Sequence, residues 1–379
     1  MERTFRVIDH RCCWKTVTLV LFWLVGQTDR AGFAEEVGGI AGSQPSVPAC
    51  SETIPPTTPT LPRRWTWESV EMAAPLRIVC YHPDEQLAKN AITKAVERIR
   101  ELNAVFSDYD ATSEVRRLCE TAGSGKKVEV SEDLWQLLAL SLRMSQQTEG
   151  AFDVTVGPLM RLWRRARMSK EMPPAWRFEE AKQAVGYQLV RMDPATRTVE
   201  LLRPGMRLDF GAVAKGYAID AALLVLRNQG ITSALVDLGG DIGLGEPPPD
   251  RPTWKVAVAP LEQEQSPSVF VYRNCCGIAT SGDRYRFVVI DGQRYSHIVD
   301  PRTGIGITEQ SEVTVIAPNA TLADVLATAV TVLGPEKGLA WIDTMPDVAA
   351  LCLRLENGQT QVLSSARWPE LSGSSGNTH

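Results

Sequence analysis

The dipeptide Asp291-Gly292 constrains the fold of this chain more than any other feature. It lies between two apolar runs, residues 285–290 and 294–299, and a two-residue Asp-Gly link between such runs marks a tight β-hairpin. Further short strands are predicted at 76–81, 234–237, 254–259, 269–272 and 313–317. Helical spacing appears elsewhere. Pro83-Asp84 opens a helix that lines up Leu87, Ala91, Ile92, Ala95, Val96, Ile99 and Leu102 on one face. Ser131 caps a second helix that stops at Gly150, a third spans 213–230, and a fourth spans 322–333, ending at Gly334 with Pro335 able to start another. Hairpins and helices without regular βαβ alternation predict an α+β fold with a largely antiparallel mixed sheet flanked by helices.

The hairpin also carries chemistry. His297 is one of four histidines, and the other three are poorly placed: His10 near the start, His82 at a strand-to-helix corner and His379 at the end. Around His297 sit Asp283, Arg284, Asp300 and Arg302, with Gly282, Gly292 and Gly304 marking turns. Charged groups on turns beside apolar strands suit a ligand site better than a core.

Composition frames the rest. The chain has 379 residues, is 44% hydrophobic and carries a formal net charge of -5, as a globular protein with ample core does. The mild acidity and the lack of a basic run interleaved with aromatics give no reason to expect a nucleic-acid partner. Residues 1–34 read as an export signal: Arg3, Arg6, Arg11 and Lys15, then an apolar run over 16–26, then small residues with a cleavage site expected after Ala34. That run is about half of the roughly 20 residues a membrane span needs, so membrane association is expected to be peripheral at most. No cysteine follows it directly, which disfavours a typical lipoprotein anchor, and the expected location is the periplasm or cell envelope. Residues 35–64 are a Pro/Ser/Thr-rich linker, 65–367 the folded unit and 368–379 a flexible tail. Cys80, Cys119, Cys275, Cys276 and Cys352 lack metal or redox spacing, Cys80 and Cys352 are expected core thiols, and no disulfide pairing follows.

Five further segments combine small, charged and apolar residues. Asp324 and Thr328 in A-D-V-L-A-T share one helix face at a spacing of four; they suit a hard cation such as Mg²⁺, or else serve the helix itself. L-D-F-G-A-V-A-K-G-Y-A-I-D (208–220) runs from an apolar strand through small residues into a helix whose N-terminus and Lys215 suit phosphate, or is a plain corner. V-D-L-G-G-D-I (236–242) contains Gly240 and Asp241, a ligand contact or an Asx turn. G-A-F-D-V-T-V-G-P-L begins at Gly150, and F-S-D-Y-D-A-T-S-E offers Tyr109 as a ring that can stack on a planar ligand.

Taken together and in order, these segments, with A-T-S-G-D-R-Y-R and S-H-I-V-D-P-R-T-G, resemble the FAD:protein FMN transferases over about residues 70–343. The resemblance implies a flavin-transferase-like fold and an enzyme that cleaves FAD at its pyrophosphate, moves FMN to a Thr or Ser hydroxyl of a target protein, and releases AMP with Mg²⁺. It implies metal binding by Asp324, Thr328 and the Ala212 carbonyl. FAD contacts are implied at Tyr109, Ala151, Phe152, Asp153, Asp209, Lys215, Gly240, Asp241, Ser281, Gly282, Asp283 and His297. His297, with an ordinary pKa near ~6.5, is the expected base for the incoming hydroxyl. The expected partner is an exported flavin-carrying subunit. An FAD pyrophosphatase giving FMN and AMP, and a non-catalytic flavin-binding protein, are the alternatives. The chain departs from the family pattern at Met72-Ala73-Ala74, at Cys119 and at Phe210.

Overall fold

The computed structural model describes residues 3–6, 61–258, 260–261, 269–284 and 286–373. The expected signal core, most of the linker and the last six residues lie outside them. The main sheet has nine strands: β1 (Arg3–Arg6), β2 (Arg63–Glu71), β3 (Ala74–His82), β4 (Ala234–Leu238), β5 (Asp241–Leu244), β6 (Cys276–Gly282), β7 (Ser311–Ala317), β8 (Ala349–Glu356) and β9 (Gln359–Ser364). They lie side by side in chain order, antiparallel throughout except for the β1–β2 pair. Nine helices join the described residues: α1 (Glu85–Phe106), α2 (Glu114–Glu120), α3 (Glu132–Gln147), α4 (Gly157–Ser169), α5 (Ala175–Gln183), α6 (Ala214–Asn228), α7 (Ala320–Leu333), α8 (Pro335–Ile342) and α9 (Trp368–Leu371). No helix among the described residues is long and apolar enough to cross a membrane.

The helix starts follow their caps. Asp84 accepts from the Leu87 N–H at α1, Ser131 from Leu134 at α3, and Asn319 from Leu322 at α7. β7 is buried along its whole length because both faces of the sheet are covered. Val313, Val315 and Ala317 join the larger core with α1, α6 and α7, while Ile316 joins a second core. That second core is closed by the ribbon Trp254–Ala257/Phe270–Arg273 and by Trp368 of α9. α7 is apolar on nearly every side and buried almost completely, which makes its Asp324 an unusual occupant. The hairpin Phe287–Ile290/Gln293–Ser296 forms where Asp291-Gly292 predicts it, and packs against α4 and α5 as a separate small core.

Two expected boundaries shift. Backbone pairing starts at Arg63, two residues before the expected edge. At the other end, residues 368–373 are not a loose tail: Trp368 is buried, and the Ser372 carbonyl accepts from the Tyr272 N–H at 2.8 Å. Five described cysteines are free, and burial pushes the Cys80 thiol up to about 12 and Cys352 up to about 11.

Candidate active site

The site begins where α6 crosses α7. The corner after Asp209 turns the chain into α6, whose first turn carries Lys215 and Gly216. A Cβ on Gly216 would collide with the Ala320 carbonyl, so only glycine allows the helices to approach this closely. Asp220, one turn further, accepts from the Ala320 and Thr321 N–H groups at 2.9 Å each and from the Thr321 hydroxyl, which ties α6 to the start of α7. Burial raises the pKa of Asp220 to about 6.

Asp324 is thereby aimed at α6. Its Oδ2 accepts from the Gly216 N–H at 3.0 Å and lies 3.8 Å from Lys215 Nζ. Lys215 also pairs with Asp241, which is 1% exposed and accepts from the Thr280 N–H at 3.2 Å. Asp241 follows the Gly239-Gly240 turn, where both residues have positive φ and the Gly240 N–H donates to Asp237. One turn along α7, Thr328 Oγ1 lies 3.4 Å from Ser281 Oγ on β6. One ammonium thus serves two buried carboxylates, beside a hydroxyl pair. Because the Gly216 N–H turns to Asp324, no described backbone N–H takes the Ala212 carbonyl. No group of three or more His, Cys, Asp or Glu side chains gathers among the described residues. The carboxylate of Asp324, the hydroxyl of Thr328 and the free Ala212 carbonyl are hard oxygen donors that fit a dication keeping several waters, as Mg²⁺ does.

The second wall is the hairpin. Gly282 faces Glu312 across β6–β7, and a Cβ there would strike the Glu312 carboxylate. Glu312 accepts from the Arg284 N–H at 3.1 Å, and burial raises its pKa to about 7. Buried Asp283 pairs with Arg294, while its Oδ1 has no partner among the described residues. His297 is half-buried, with Nδ1 3.1 Å from the Arg286 carbonyl. A carbonyl only accepts, so Nδ1 carries the proton and Nε2 is left with a free lone pair. Burial, then the Arg286 and Arg167 guanidiniums, hold the imidazole down at about 4, and Lys215 adds to the same field. At neutral pH His297 is an uncharged base.

A third cluster borders them. Arg164 of α4 pairs with Asp108 and, at 2.6 Å, with Asp209, whose other oxygen accepts from the Gly211 N–H. Burial, then Asp209, lifts Asp108 to about 6. The Arg164 guanidinium lies 4.3 Å over the ring of Tyr109, which remains 47% exposed.

The structure therefore brings Lys215, Asp241, Ser281, Asp324 and Thr328 together, with Gly240 on the adjoining turn, and sets Gly282, Asp283 and His297 on the neighbouring wall. Three further residues implied as contacts have side chains engaged within the protein. Phe152 is packed in the main core and Ala151 against Ile298 and Val332. Asp153 has both oxygens engaged, by the Thr155 N–H and hydroxyl and by the Tyr187 N–H at 2.8 Å each, so it closes its own loop. Gly216, Asp220, Glu312 and the Asp108–Arg164 pair were not singled out from sequence; of these Gly216, Asp220 and Asp108 fell inside a motif, Glu312 and Arg164 outside. Cys119, a departure from the family pattern, accepts from the Leu208 N–H at 3.2 Å beside Asp209.

An antiparallel sheet whose helix crossing gathers carboxylates, hydroxyls and an ammonium beside a neutral imidazole defines a class of protein suited to an anionic ligand. The ApbE family model matches residues 72–352, and the chain belongs to that family. It is 32% identical over 292 residues to the FAD:protein FMN transferase of Klebsiella pneumoniae (strain 342), covering 76% of this chain and 89% of that protein. The enzyme of the same name from Treponema pallidum (strain Nichols) is 34% identical over 276 residues, covering 69% and 76%. Among solved structures, the flavin transferase ApbE from Vibrio cholerae superposes with a TM-score of 0.74 at 27% identity, covering 82% of this chain and 99% of that one. The ApbE protein from Thermotoga maritima gives 0.74 at 28% identity, with the same coverage.

Proposed function

We propose that this chain transfers the FMN half of FAD to a hydroxyl on a target protein. The hydroxyl oxygen forms a new phosphoester with the FMN phosphate, the pyrophosphate bond breaks, and AMP leaves with its bridging oxygen. The hydroxyl proton passes to a base. The observation that carries this reading is the neutral imidazole of His297, fixed as the Nδ1–H tautomer in the field of Arg286, Arg167 and Lys215. Its Nε2 is the proton acceptor for a Thr or Ser hydroxyl. The surrounding positive charge offsets that of the diphosphate without protonating the base.

Asp324, Thr328 and the Ala212 carbonyl would hold Mg²⁺, which supplies Lewis acidity toward a phosphoryl oxygen. Lys215 keeps Asp241 and Asp324 in place and adds fixed positive charge at the start of α6. Tyr109, held under Arg164, offers an exposed ring on which a planar ring system can stack. The reading extends to location: the basic start, the apolar run over 16–26 and the linker fit an exported enzyme acting on a flavin-carrying subunit in the periplasm or cell envelope.

Replacing His297 with Ala tests the assignment. Transfer is expected to fall by about 10²- to 10⁴-fold, the range of general base catalysis, with FAD affinity retained. Transfer at the original rate would remove His297 from this role.

A further inference from the structure

The hairpin that carries His297 has one open edge. Asp291 and Gly292 both have positive φ, so the turn is a two-residue link and Ile290–Gln293 is a hydrogen-bonded pair. Alternation makes Val288–Tyr295 and Arg286–His297 the next such pairs, and the His297 N–H does donate to the Arg286 carbonyl at 2.8 Å. The N–H and C=O groups of Phe287 and Val289 therefore point away from the hairpin. The far side of the inner strand is taken: Ser296 N–H donates to Ile307, and Ile307 N–H to Ile298, at 2.7 and 2.9 Å. No described strand covers the outer side.

Among the described residues, nothing guards this edge. Val288 and Ile290 point into the core with Leu159 and Trp163, whereas Phe287 and Val289 are 44% and 50% exposed. It bears no proline, and sheet edges of this kind take up extra strands. Its surroundings are basic. Arg286 just precedes the strand and is exposed, and Arg294 lies across from Val289 with its guanidinium 4.2 Å over the Phe287 ring. From α4, Arg167 adds a charge that is felt at His297, while Arg164 is spent on Asp108 and Asp209. Among the described residues, Asp283 of this neighbourhood is already paired with Arg294, Asp291 sits at the turn tip, and Asp108 and Asp209 are taken by Arg164.

We propose that the acceptor protein docks here, as an extended acidic segment that adds a strand along Phe287–Ile290. Its hydroxyl-bearing residue leaves the edge at Arg286, whose carbonyl already holds His297. Edge-to-edge pairing of two copies would instead bring two sets of Arg286 and Arg294 together, which charge disfavours. The proposal rests on the transferase reading above, but binding can be read without turnover.

The test uses the full chain with FAD and Mg²⁺. The probe is a synthetic ten-residue peptide with a central threonine and aspartates at alternate positions; a lysine-for-aspartate version is the control. The acidic peptide is expected to slow amide exchange of Phe287 and Val289 at least ten-fold, and the lysine peptide to leave it unchanged. Val289→Pro removes an outward N–H while sparing the hairpin bonds; it should weaken peptide binding about ten-fold and leave FAD binding alone. Protection elsewhere, or equal protection by both peptides, overturns the proposal. So does protection without peptide, whether lost on dilution (a second copy) or lost on deleting residues 1–60 (the chain's own start). Release of AMP is followed in parallel, so that failure of the transferase reading registers separately from failure of docking.

Discussion

His297 shows how a residue acquires a role from its surroundings. An ordinary imidazole is about half charged near pH 6.5, but burial beside Arg286 and Arg167 lowers this one to about 4. Between those values the folded protein binds fewer protons here than the unfolded chain. The contribution of His297 to stability is thus complete above about pH 6.5 and is lost as pH falls toward 4. NMR titration of the His297 ring in the ligand-free protein is expected to give an inflection well below 6.5, with Nδ1 protonated on the basic side. An inflection at or above 6.5 would contradict the environment described. Sequence pointed to His297 because few other histidines were usable, and to Asp324 and Thr328 because helical spacing fixes a shared face. It could not reveal Arg164 between Asp108 and Asp209, partners 56 and 45 residues away. Nor could it show that Asp153 is occupied by its own loop, since an aspartate closing a turn and one awaiting a ligand look alike.

At the scale of elements, close approaches build the site, and small residues mark them. β6, C-G-I-A-T-S-G, was not legible as a strand because it lacks alternating apolar residues. Its composition answers to α7: a Cβ on Gly277 would run into the Asn319–Ala320 backbone. The same logic makes Gly216 the crossing point of α6 and α7. Capped amphipathic helices such as α1 and α3 were legible, because capping and periodicity are local. α4 was not, since its arginines obscure the apolar stripe of Leu159, Trp163 and Ala166. Gly282 and Glu312 give a direct test of one approach. Gly282→Ala should push the Ser281–Asp283 turn off the Glu312 carboxylate and weaken FAD binding at least ten-fold. Adding Glu312→Ala should restore most of it. If the double variant binds as poorly as Gly282→Ala alone, the collision is not what requires glycine.

At the scale of the whole molecule, an Asp-Gly hairpin and the absence of βαβ alternation sufficed for the α+β class. The strict chain order of the sheet was not legible, because the β2–β3 turn is Met72-Ala73, two ordinary residues at positive φ rather than a glycine signal. Trp368 was read as the start of a flexible tail because Gly and Ser follow it, yet its ring closes the second core. The arrangement puts an electropositive hairpin and a hard-donor helix crossing on two walls of one site. The central claim is that this site passes FMN to a protein. The direct measurement is the mass of a threonine-bearing flavoprotein subunit after incubation with the full chain, FAD and Mg²⁺, with the nucleotide products resolved alongside. The expected result is acceptor heavier by one FMN and AMP in equal amount. Unmodified acceptor with free FMN and AMP, or with intact FAD, would contradict it.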